Sequence, residues 1–185
     1  MIDQLLRRHA LALGQLDGIA FGSGPGSFTG LRIACGVAQG LAFGRNLQVV
    51  GVSTLLALAD AVPSDRVVCC LDARMGEIYH AAYERSGGAW RTVHEAGLCA
   101  PDKAPLLSAG AWVACGSGFS AHEAALKKRY AGCLSTILPD LYPHARQIAS
   151  LGAREFEQGN GKPAEQALPV YLRDKVALRT DERTA

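Results

Sequence analysis

Gly22-Ser-Gly-Pro-Gly-Ser-Phe-Thr-Gly30 runs directly into Leu31-Arg-Ile-Ala-Cys-Gly-Val-Ala-Gln-Gly-Leu-Ala-Phe-Gly44. A short apolar run at 16–21 precedes it and reads as a strand. Gly22, Gly24 and Gly26 then crowd one loop, where glycine permits positive φ and close approach of backbones. A strand, a glycine loop and a helix N-terminus together can cradle an anion. The loop nevertheless departs from the two common phosphate patterns. Gly30 is followed by Leu31-Arg32, not by the Lys-Ser/Thr of a Walker loop. Neither Gly22-x-Gly24 nor Gly24-x-Gly26 has the third glycine of a dinucleotide fingerprint. By spacing, a structural turn and a ligand loop both stand open. Ser27 and Thr29 suit helix capping better than nucleophilic attack.

The helix expected over 31–43 carries Gly36, Gly40 and Gly44 at every fourth position, so they share one face. Ala34, Ala38 and Ala42 widen the surface of small residues. Each internal glycine costs about 1 kcal/mol relative to alanine. Such a stripe makes sense where another element must come very close. That element is either the chain's own sheet or first helix, or a helix of another subunit. Arg32, Gln39 and Arg45 argue against the membrane setting in which such stripes are best known.

Working outward, 5–13 reads as a helix end, 47–52 as a buried strand, and Ser53 as the N-cap of a helix over 54–61. The runs 67–71 and 77–83 flank the turn Asp72-Ala-Arg-Met-Gly76 and form a hairpin, with 90–98 as a third antiparallel strand. Short helical character is expected at 101–107, strands at 112–115 and 134–138, and one helix over 119–130. Pro143 suits the first turn of a helix reaching Gln158, and Pro169-Val-Tyr-Leu-Arg173 is extended. A charged, loose tail follows Asp174. Mixed strands and helices make the class α/β or α+β.

The chain has 185 residues, 49% of them apolar and 19% charged, which supports a real core. A net charge of +2 argues against a dedicated nucleic-acid-binding domain. Lys127-Lys128-Arg129, the only basic run, reads as a solvated helix end. No signal peptide or membrane span is recognisable. The six cysteines lack CxxC spacing and read as free thiols of a cytoplasmic protein. The five histidines are scattered without metal-ligand spacing, and no nucleophile elbow is present. Asp72, Arg74 and Glu77 gather at the hairpin turn, as a local ion pair, a partner-binding group or, most simply, a solvated turn.

Three blocks carry a resemblance: Gly24-Pro-Gly-Ser-Phe-Thr-Gly-Leu-Arg-Ile33, Ala38-Gln-Gly-Leu-Ala42 and Gly51-Val-Ser-Thr-Leu55. Together with Leu71-Asp-Ala-Arg-Met-Gly-Glu-Ile-Tyr79 and Pro169-Val-Tyr-Leu-Arg173 they are similar to the bacterial TsaB (YeaZ) family over nearly the whole chain. The resemblance implies an actin-like/Hsp70-like ATPase (ribonuclease-H-like) fold of two lobes. Here these are a partial first lobe at 1–62 with the glycine loop and interface helix, and a second at 63–185 with the antiparallel meander and a C-terminal helix that returns to the first. It implies a non-catalytic dimerisation and scaffold subunit that supports the related catalytic subunit TsaD. With the ATPase TsaE, and a donor supplied by TsaC, that complex makes threonylcarbamoyladenosine on tRNAs reading codons that start with A. The chain would need no cofactor itself, the ATP and metal being bound by other subunits. It would touch tRNA only indirectly and could pair with itself. The implied interface comprises Leu31, Arg32, Cys35, Gly36, Gln39, Gly40, Phe43 and Gly44. Gly22, Gly24, Gly26, Ser27 and Thr29 are the nucleotide or structural loop. A glycoprotease-like peptidase and a weak nucleotide-binding ATPase are the alternatives. The family opens with an Asp-Thr strand and a hairpin before its first helix, whereas this chain begins within that helix, so a longer native protein with a complete first lobe is expected.

Overall fold

A computed structural model describes residues 2–173. The segment after Asp174, expected to be loose, lies outside the described residues. Helix α1 (Ile2–Arg8) leads to strand β1 (Gly18–Gly24). Helix α2 (Phe28–Phe43) then crosses over to β2 (Gln48–Ser53). β1 and β2 are parallel, with Ile19 opposite Val49 and Phe21 opposite Gly51. A parallel pair needs such a crossover, and helices then cover both faces. α2 covers one face, where Phe21, Cys35, Ala38, Ala42 and Val49 pack together. α3 (Thr54–Asp60) and α6 (Ala145–Glu157) cover the other, where Val50, Val52, Ala57, Ile148 and Leu151 meet. This double coverage accounts for the consecutive burial of Val49 and Val50, whose side chains point to opposite faces.

The second sheet has the order β5-β4-β3-β6-β7. β3 (Arg66–Arg74), β4 (Glu77–Ser86) and β5 (Ala89–Cys99) form the expected antiparallel meander. β6 (Trp112–Cys115) and β7 (Leu134–Leu138) join it in parallel. Leu55 and Leu58 of α3, both fully buried, pack on Val67, Cys69, Tyr83 and Cys115 of this sheet. α3 therefore ties the two sheets into one body. Its cap is the expected one, Ser53 accepting a hydrogen bond from the Leu56 amide at 3.4 Å. On the far face Trp112, Phe119, Leu126 and Tyr130 close a second core.

Several local expectations need correction. β1 runs on to Gly24 and α2 begins at Phe28, so only 25–27 of the glycine loop lie between elements. The helix expected over 119–130 is two, α4 (Gly118–Ala121) and α5 (Glu123–Arg129), broken where His122 adopts φ −133° and ψ 39°. Pro143 lies ahead of α6, whose cap is His144. Residues 101–107 hold only a single 3₁₀ turn, Pro101–Lys103. Helix α1 buries none of its side chains, and so gives the glycine stripe of α2 nothing to pack against.

Candidate partner interface and inter-lobe cleft

α2 presents two unlike faces. Ser27 starts it, its hydroxyl accepting from the Gly30 amide at 3.3 Å. Leu31, Cys35, Ala38 and Ala42, spaced by four, three and four, turn inward and are buried. Leu31 and Cys35 therefore belong to the chain's own core, with the Cys35 thiol donating to the Ala167 carbonyl at 3.3 Å. Gln39 is also directed inward, donating to the same carbonyl at 2.9 Å. Arg32 lies on the surface, its guanidinium 3.7 Å from the Phe28 ring centre and its Nε donating to the Tyr171 hydroxyl at 2.9 Å. Gly36, Gly40, Phe43 and Gly44 face outward.

That outward face also holds two residues that the sequence reading passed over. Ile33 is 62% exposed and Val37 44% exposed, beside Phe43 at 81%. Their places three residues before Gly36 and Gly40 were the available signal. A Cβ placed on Gly36 or Gly40 would meet nothing within 4 Å. Close packing on the chain's own sheet, the other explanation of the stripe, is thereby overturned. The result is a shallow groove of glycine backbone flanked by large apolar side chains.

Gly22, Gly24, Gly26, Ser27 and Thr29 do not act as one unit. Gly22 and Gly24 are strand residues, and Thr29 is exposed in the first turn of α2. Gly24 holds φ +125°, and a Cβ there would lie 2.6 Å from the Val170 carbonyl oxygen. Its glycine is thus explained by a close backbone approach. Only Gly26 and Ser27 of the five line the cleft between the sheets. That cleft has a volume of about 730 Å³, with Thr54, Asp72, Arg74, Ser117 and Tyr142 also on its walls.

Asp72 organises the second wall. Its carboxylate accepts from the Arg74 amide at 2.9 Å and pairs with the Arg74 guanidinium at 3.1 Å. Its own amide donates to Ser117 Oγ at 3.2 Å. His122 Nε2 stands 3.8 Å from Asp72 Oδ1, beyond hydrogen-bond reach. Serine, histidine and aspartate thus meet here, but the serine is held by a backbone amide. The thiols are no better placed: burial pushes those of Cys69 and Cys70 well above the usual range, so they stay neutral. Among the described residues no three His, Cys, Asp or Glu side chains gather as a metal site. No described helix is long and apolar enough to cross a membrane.

Comparison with known proteins follows the same lines. The family model described as TsaD: tRNA N6-adenosine threonylcarbamoyltransferase matches residues 1–179. The Escherichia coli K12 protein named tRNA threonylcarbamoyladenosine biosynthesis protein TsaB is 36% identical, over 97% of this chain and 80% of its own length. The Haemophilus influenzae protein of the same name is 35% identical, over 97% and 79%. A solved structure of YeaZ from Pseudomonas aeruginosa superposes with a TM-score of 0.85 at 38% identity, covering 93% of this chain and 81% of that one. A second, described as an uncharacterized protein with similarity to peptidase YeaZ, gives the same score and identity over 94% and 81%. The architecture is accordingly the actin-like ATPase type within the α/β class, and the chain belongs to the TsaB (YeaZ) family.

Proposed function

We propose that this chain takes part in tRNA threonylcarbamoyladenosine biosynthesis as a scaffold subunit, docking the outer face of α2 onto the catalytic TsaD paralogue. The observation that carries the reading is the groove at Gly36 and Gly40, open to 4 Å and bordered by exposed Ile33, Val37 and Phe43. Two helices that meet through glycine approach to about 8 Å between axes, the short end of the usual range. The apolar rim then supplies area and the glycines supply proximity. The same face suits a second copy of this chain, so a homodimer and the TsaD pair compete for it. TsaE joins through the assembled complex, and tRNA is contacted by other subunits. The subunit works in the cytoplasm, holds no nucleotide or metal of its own and leaves transfer of the threonylcarbamoyl group to TsaD.

The test is reconstitution. TsaD, TsaE, the adenylate donor and substrate tRNA are incubated with and without this chain, and modified adenosine is counted. Formation that depends on this chain, with none from the chain alone, supports the proposal. Equal formation without it contradicts the proposal. The proximity of Ser117, His122 and Asp72 gives the peptidase reading its one foothold. Cleavage of the TsaD paralogue by this chain, abolished by Ser117→Ala, would establish that reading instead.

A further inference from the structure

We propose that the segment 167–173 is a releasable strap that ties the two lobes across the mouth of the cleft and sets its opening. The lobes meet on opposite sides of the cleft in two different ways. At its back the join is apolar and permanent, with Leu55 and Leu58 of α3 fully buried against the second sheet. At its mouth the described chain crosses between the lobes in two places, the link from β7 to α6 with Tyr142 and Pro143, and this strand. Val170, Tyr171, Leu172 and Arg173 all line the cleft.

The strap's two ends are anchored unequally. On the first lobe the hold is distributed. The Ala167 carbonyl accepts from Gln39 and Cys35, and the Val170 amide donates to the Ser23 carbonyl at 2.7 Å. The Tyr171 ring lies 5.5 Å from that of Phe28, and its hydroxyl accepts from Arg32. On the second lobe, among the described residues, the hydrogen-bonded attachment is made by one side chain. The Arg173 guanidinium pairs with Glu77 at 2.7 Å and donates to the Ala73 and Arg74 carbonyls at 3.1 and 3.4 Å. These carbonyls and Glu77 form the tip of the β3–β4 hairpin, next to Asp72. One planar fork therefore holds a whole wall, and it is only 14% exposed where it does so. Release begins at Arg173, because one polar contact set is cheaper to lose than a distributed one, and the apolar back acts as the hinge.

Hydrogen–deuterium exchange on the isolated full chain tests this, independently of any partner. Arg173→Ala is expected to speed exchange about tenfold in 72–79 and measurably in 26–31, while 67–70 in the core of β3 stay protected. Glu77→Gln, which leaves the strap's own sequence intact, should produce the same pattern more weakly. Unchanged exchange at both walls in the two variants overturns the proposal. So does a rise shared equally by 67–70, which would mean general loosening.

Discussion

Gly24 and His80 are the single residues whose chemistry is most constrained. Gly24 combines φ +125° with a 2.6 Å approach to the Val170 carbonyl, so alanine there is strained twice over. Gly24→Ala is expected to lower the unfolding free energy by about 2 kcal/mol, read from urea midpoints. His80 on β4 is buried, and that burial, with His94 nearby, lowers its pKa. The unfolded chain therefore takes up the proton first as pH falls. Stability from this residue is complete above the ordinary histidine pKa, about 6.5, and declines as pH drops toward the depressed folded value. Melting temperatures measured between about pH 7.5 and 5 should fall less steeply for His80→Gln than for the parent. The sequence listed five scattered histidines; that one of them is enclosed by its own meander follows from the register of β4 on β5, which no local pattern displays.

At the scale of elements, α2 was legible, but three of the eight residues assigned to its outer face turn inward. Its glycine period announced a special face, and its end at Phe43 and the capping role of Ser27 were read correctly, but it begins at Phe28 and not at Leu31. Leu31, Cys35 and Gln39 were placed on that face because the resemblance marks the helix as a whole. Projecting 3.6 residues per turn from Gly36 and Gly40 excludes Leu31 and Cys35 and admits Ile33 and Val37. The open space at Gly40 has a direct consequence for stability. Gly40→Ala should raise it by about 1 kcal/mol, since a better helix former is added without a clash. A functional reason for keeping glycine is then required. α3 has the opposite character: Leu58 is fully buried where the two lobes join. Leu58→Ala is expected to cost about 3 kcal/mol in denaturant titration. The break at His122 was not legible, because packing of Phe119 and Tyr130 in the far core overrides local helix propensity there. The shortened 101–107 segment, by contrast, was legible in Pro105, which holds Ala104 extended at ψ 143°.

Over the whole molecule, the meander and a mixed class, α/β or α+β, could be read from alternation and turn residues, whereas the parallel pairing of β1 with β2 was not read. The resemblance implies a C-terminal helix returning to the first lobe; what could not be read was how the residues after that helix bond to that lobe. The Ser23–Val170 and Gln39–Ala167 bonds span more than a hundred residues, and nothing local encodes them. The cleft and its strap are products of that return. The central claim, though, concerns the outer face of α2. The direct measurement is co-purification of the TsaD paralogue with Gly40→Leu, alongside the parent chain and a circular-dichroism check of folding. The account predicts a folded variant that has lost the complex, because a leucine at Gly40 fills the groove that lets two helices meet. A folded Gly40→Leu chain that retains TsaD at the parent's affinity would contradict it.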